Sequence, residues 1–125
     1  MRRVAWAFAP ALAYAAIIFV LSAQSDPLPF LPREIFLQDK LLHAVEYAVL
    51  GGLLVHALRL AGLRPWVALV AAVVIASAFG ATDEFHQSFV PGRSADVADW
   101  LADTLGAAVG AVLVTAALRL PGRAG

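Results

Sequence analysis

Four apolar stretches, at about residues 4–22, 40–60, 66–85 and 97–118, take up most of this 125-residue chain. Each is close to the ~20 residues a helix needs to cross about 30 Å of hydrocarbon. Backbone N–H and C=O groups find no water at that depth, so a spanning segment must satisfy them itself, which a helix does. The expected fold is therefore all-α: an integral membrane four-helix bundle forming one transmembrane domain over residues 1–125. Composition agrees. Hydrophobic residues make up 62%, charged residues 14%, and mean hydropathy is +0.81, where soluble domains carry roughly 25% charge. The expected surroundings are a lipid bilayer, with no nucleic-acid partner. With no cysteine, disulfides, thiolate metal sites and thiol nucleophiles are excluded.

Arg2 and Arg3 ahead of the first apolar run also fit a signal peptide, with Leu21-Ser22-Ala23 as a weak cleavage motif. The run exceeds the about 7–15 apolar residues usual there, so an uncleaved anchor is expected. Pro27, Pro29 and Pro32 then make residues 23–38 a loop, since proline lacks the helical donor. Leu28, Phe30, Leu31, Ile35, Phe36 and Leu37 lay that loop on the bilayer surface or back over the helices. Ala61-Gly62-Leu63-Arg64-Pro65 suits the turn of an antiparallel helical hairpin, with Pro65 in the next helix's first turn. The third helix can run on through His86 and Gln87 before Pro91-Gly92 turns the chain.

Arg2, Arg3, Arg59, Arg64, Arg119 and Arg123 fall on one side of such a bundle, and Arg33, Lys40 and Arg93 on the other. The positive-inside rule then predicts both termini in the cytoplasm. All nine acidic residues, Asp26, Glu34, Asp39, Glu46, Asp83, Glu84, Asp96, Asp99 and Asp103, belong to the outer side. Trp6 and Trp66 near the inner interface and Trp100 near the outer one read as headgroup-level anchors.

The outer polar residues share helix faces. Asp39, His43 and Glu46 recur at i, i+4, i+7, and Lys40, His43 and Tyr47 at i, i+3, i+7, so they share a face of the second helix. Glu46 is too deep to face lipid cheaply and should turn inward to a partner. Asp83, His86 and Gln87 lie at i, i+3, i+4 on the third helix, and Glu84 points about 100° away from Asp83. One or both acids should turn inward, where they can share a proton or a divalent cation. Asp83, Glu84 and His86 are the metal-ligand candidates, and Glu46, Asp83, Glu84 and His43 the candidate general acid–base groups. Asp96 as N-cap with Asp99 at N3 is explained by helix capping and the dipole. Asp103 lies beyond the first turn and shares a face with Asp99, Gly106 and Gly110. Gly106-x-x-x-Gly110 lets helices approach closely, marking an intramolecular seam or a homodimer contact. Arg93, beside Pro91-Gly92, carries the planar fork that suits phosphate or carboxylate.

Asp39-Lys40-x-x-His43-x-x-Glu46-Tyr47, Asp83-Glu84-x-x-Gln87-x-Phe89-x-Pro91-Gly92-Arg93-x-x-Asp96-x-x-Asp99 and Asp103-x-x-Gly106-x-x-x-Gly110, with Gln24 after the first span, together resemble the VanZ-like proteins. The resemblance runs from about Leu12 to Leu118. It implies a small multi-pass protein of the bacterial cytoplasmic (inner) membrane, in a family whose name-giving member is associated with resistance to the glycopeptide teicoplanin. Asp103 stands where many relatives are expected to carry asparagine.

On these residues the outer cluster is expected to bind, and in one reading to modify, an anionic lipid-linked precursor of the cell envelope. Its ligand contacts would be Lys40, His43, Tyr47, Gln87, Arg93, Asp99 and Asp103. The alternative is a non-catalytic assembly protein whose cluster only latches helices. A proton relay is disfavoured, because His56 is the sole titratable group in the inner halves of the spans. The Asp and His spacings match no phosphotransferase signature, and neither a Gly-rich phosphate loop nor a serine elbow occurs, so no enzyme class is assigned.

Overall fold

The computed structural model describes residues 2–23, 36–92 and 95–119, with the backbone alone at 36–39. Five helices follow in order: α1 (Arg2–Ala7), α2 (Ala9–Ser22), α3 (Phe36–Leu60), α4 (Pro65–Gln87) and α5 (Val97–Leu118), with no strand among the described residues. Arg2–Ser22, Lys40–Leu60, Pro65–Gln87 and Val97–Leu118 are long and apolar enough to cross a membrane.

Two boundaries differ from the sequence reading. The first span divides at Phe8, with Pro10 in the first turn of α2; the missing proline donor interrupts the helical ladder there. α3 begins at Phe36, within the stretch read as loop, because no proline or glycine follows Pro32 before the span. α4 runs on to Gln87, as the sequence allowed.

α3 ends in a tight hydrogen-bonded cap: Leu63 N–H donates to Leu58 O at 3.1 Å and Gly62 N–H to Arg59 O at 3.0 Å. Gly62 takes the positive φ of 99° that this cap requires. Pro65 then opens α4 with its fixed φ and no donor to lose.

The most extensive packing is between α3 and α5, which run parallel. A Cβ on Gly106 would run into the Ala44 carbonyl, one on Gly110 into that of Ala48, and one on Gly51 into that of Ala107. The backbones thus touch along a seam that tolerates only small residues. This is the intramolecular seam of the two alternatives, and it uses the Gly106–Gly110 face within the chain. α4 closes the third side with Ala68, Ala72, Ala76 and Gly80 buried at every fourth position. Large side chains point outward instead: Leu41 and Val45 on α3, Val74 on α4, Leu105 and Leu113 on α5. Ile18, Leu50, Leu54, Val55 and Leu58 fill the interior where the backbones lie further apart, and this mixture suits association in lipid, where van der Waals contact drives packing.

The end of α2, the start of α3, the end of α4 and the start of α5 meet at one end of the bundle, joined by contacts such as Ser22–Asp83 and His43–Asp103. By the same topology Arg2, Arg3, Arg59, Arg64 and Arg119 lie at the opposite end.

Gly110→Val should lower the thermal midpoint in detergent far more than Gly62→Ala. The first drives a side chain into backbone, whereas the second costs about 1–2 kcal/mol of left-handed strain. Midpoints from circular dichroism melts check the ranking.

Candidate functional site

The small-residue stripe of α4 fixes which acids turn inward, since Asp83, Glu84 and Gln87 continue it. Both carboxylates are enclosed, Asp83 at 2% and Glu84 at 6% exposure, and Gln87 is buried. Asp83 Oδ2 accepts from Ser22 Oγ at 2.7 Å, tying α2 to α4. Glu84 Oε2 accepts the Asp96 backbone N–H at 2.9 Å, which holds the entry to α5 against α4.

The α3–α5 seam sets the remaining partners. With Gly106 on Ala44, the preceding turns bring His43 beside Asp103, and His43 Nδ1 lies 2.8 Å from Asp103 Oδ1. With Asp103 as carboxylate the imidazole donates from Nδ1, presenting Nε2 as a lone-pair nitrogen. That Nε2 is 3.7 Å from Asp99 Oδ2. One turn closer to the helix start, Lys40 Nζ donates to Asp96 Oδ2 at 2.9 Å and to Asp99 Oδ1. Tyr47 is wholly buried one turn below His43. Gly80 leaves room for the Tyr47 ring and Asp103 Oδ2 against α4.

His43, Lys40, Tyr47, Asp83, Glu84, Gln87, Asp99 and Asp103 are therefore gathered at one end of the bundle. Glu46 is half-buried on the flank of α3. His86 does not join them: its ring stacks on Phe19 of α2 with centroids 4.5 Å apart. Of the candidate ligands Asp83, Glu84 and His86, Asp83 and Glu84 belong to the group that comes together. In that group His43, Glu84 and Asp99 each offer one donor atom, all within 4.8 Å of one another. Gln24, Arg93 and the Asp39 side chain lie outside the described residues.

Asp96 caps α5, as expected, through Ala98 N–H at 2.9 Å. Asp99 does more than serve the helix dipole, since it faces Lys40 and His43 across the seam. Trp100 is not simply a headgroup anchor. Its indole N–H donates to the Ser77 carbonyl at 3.0 Å, and Ser77 Oγ meets Thr104 Oγ1 at 2.9 Å, so these residues join α4 to α5. The sequence reading missed Ser22; its position at the polar end of an apolar helix was the available signal.

Some polar atoms in this cluster are buried and have no hydrogen-bond partner among the described residues: Tyr47 Oη, Glu84 Oε1 and Asp103 Oδ2. An ionised carboxylate deep in a span costs on the order of 2.5–3.5 kcal/mol. An interhelical polar contact returns about 0.6 kcal/mol on average and at most ~1.7. Glu84, within a turn of the end of α4, and Asp103, two turns inside α5, bear part of that cost, and each keeps one buried oxygen that no described residue satisfies.

At the rim, the hydrogen bond from Lys40 and then that from Ala98 hold the Asp96 carboxyl below the usual carboxylate range. A depressed folded pKa stabilises at pH above the unfolded value of about 3.9, and that stabilisation is lost as pH falls through the lower folded value. Asp96→Asn should therefore melt below the parent near neutral pH, and the gap should close in strong acid. The Asp96 side chain is 43% exposed, so salt should also shrink the gap.

No curated protein and no solved structure matches the chain. Comparison with protein families matches residues 6–118 to VanZ/LLP1. That match reaches all four apolar helices, the first from Trp6 onward, and includes every residue of the polar cluster, and the chain accordingly belongs to the VanZ/LLP1 family.

Proposed function

We propose that this is a multi-pass protein of the bacterial cytoplasmic membrane whose polar cluster opens to the outer leaflet and binds the headgroup of an anionic, lipid-linked envelope component. The arginines at the opposite end of the bundle support the orientation, by the positive-inside rule. The observation that carries the reading is the cost of the cluster. Glu84 and Asp103 hold buried oxygens with no partner among the described residues, and buried polar groups left so are expected where a ligand completes them. Lys40 at the rim, with Arg93 three residues before Asp96 in the sequence, supplies positive charge for a phosphate. The envelope precursor class, and with it the link to teicoplanin resistance, comes from the family resemblance.

A second reading is favoured by a specific observation: Ser22–Asp83, Lys40–Asp99 and His43–Asp103 each bridge two helices. In that reading the cluster is a latch in a membrane assembly protein.

Native mass spectrometry of the chain from nanodiscs containing a polyprenyl phosphate separates the two. A binding site predicts that the parent retains the polyprenyl phosphate over phosphatidylcholine. Lys40→Gln with Asp99→Asn should reduce retention at least tenfold while the protein stays folded. A latch predicts no retention by either protein and a large fall in the variant's thermal midpoint.

A further inference from the structure

The charge balance of the cluster sets a condition on any anionic ligand. Among the described side chains at this end, Glu46, Asp83, Glu84, Asp96, Asp99 and Asp103 are set against one lysine, Lys40. A phosphate approaching such a group meets net negative charge. An added cation inside the cluster reverses that, and the geometry indicates where it would sit.

We propose that His43, Glu84 and Asp99 form a binding site for a first-row divalent metal ion of the zinc or manganese type. The inference deepens the ligand-site reading, and rests on it only for the role of the metal in recruiting phosphate. Three features carry it. The donor atoms of the three residues come from three different helices and lie within 4.8 Å of one another, all buried. His43 Nε2 and Asp99 Oδ2 are 3.7 Å apart, longer than a hydrogen bond. That spacing is near the roughly 3.4 Å between two ligands of a tetrahedral ion with bonds of about 2.1 Å. Glu84 is 6% exposed, and its Oε1 is buried without a hydrogen-bond partner among the described residues.

The surroundings fit the same role. Asp103 at 2.8 Å from His43 Nδ1 reproduces the carboxylate–imidazole arrangement that fixes a metal-binding histidine with its other nitrogen turned to the ion. Asp99 divides its oxygens, Oδ1 toward Lys40 and Oδ2 toward His43, so it can bind metal without releasing the lysine. One imidazole and two carboxylates form a mixed nitrogen–oxygen set suited to zinc or manganese, with a coordination position left for water or a phosphate oxygen. Binding requires the donor atoms to draw together from their present spread of up to 4.8 Å, a matter of side-chain motion. The sequence reading placed a cation on α4 alone, at Asp83, Glu84 and His86. This site draws on α3, α4 and α5 instead.

The test uses the full chain in detergent, stripped with a chelator and dialysed against zinc or manganese, with bound metal measured by inductively coupled plasma mass spectrometry. The parent is expected to hold about one equivalent per chain. Glu84→Gln and His43→Gln should each weaken binding at least tenfold, and Ser77→Ala should not. Cobalt(II) added to the parent should give the intense visible bands of a low-coordinate nitrogen–oxygen site, a readout that needs no variant. Sub-stoichiometric metal in the parent, or unchanged binding in a folded Glu84→Gln, overturns the proposal. Polyprenyl phosphate retention with and without EDTA separates the two readings. Retention that survives EDTA overturns the recruiting role while leaving the lipid reading intact. Stoichiometric metal with no lipid retained upholds the metal site and removes the lipid.

Discussion

The close approach of α3 and α5 is the contact on which the rest depends. Gly106 and Gly110 lie directly on the Ala44 and Ala48 carbonyls, so two parallel helices meet backbone to backbone without large side chains between them. Everything polar is registered from that seam. Next to Ala44, His43 reaches Asp103, and a turn further toward the helix start Lys40 reaches Asp99 and Asp96. A larger residue at either glycine would move α5 away from α3 and separate all of these pairs together. The fourth-position alanines of α4 add a second close face and carry Glu84 into the same space.

Such a bundle gains little from its polar contacts, because the lipid offers no hydrophobic drive between helices and each interhelical hydrogen bond returns only about 0.6 kcal/mol. Close backbone contact at glycine and alanine and the buried Leu50, Leu54, Val55 and Leu58 of α3 supply the packing. The carboxylates at one end are then an expense in stability, and such expenses in membrane helices mark functional positions. A cation among His43, Glu84 and Asp99 would remove much of that cost. It would also turn an acidic cluster into a phosphate receptor.

The spans and the inward faces were legible in the sequence, because the apolar stretches have helical length and the polar residues recur at helical spacing. The Gly106–Gly110 face, Asp96 as cap, and His43 with Tyr47 on one side of α3 follow from period alone. The partners were not legible. Spacing gives a face within one helix but says nothing of which helix it meets. The parallel contact of α3 with α5, rather than the sequential hairpins, decides that Asp99 serves Lys40 and His43. His86 shows the same limit. It shares a face with Asp83 and Gln87 by spacing, yet Phe19 of α2 takes its ring. Trp100 likewise reads as an interfacial anchor until Ser77 of α4 is brought beneath it.

The most direct measurement is the metal-free thermal midpoint of Glu84→Met against the parent in the same detergent. A carboxylate kept for a ligand at a cost in stability should be replaceable by an apolar side chain of similar length with the midpoint unchanged or raised. A midpoint lower than the loss of the single Asp96 N–H contact explains, about 0.6 kcal/mol, would mean that Glu84 holds the helices together, and would contradict the assignment of the cluster as a ligand site.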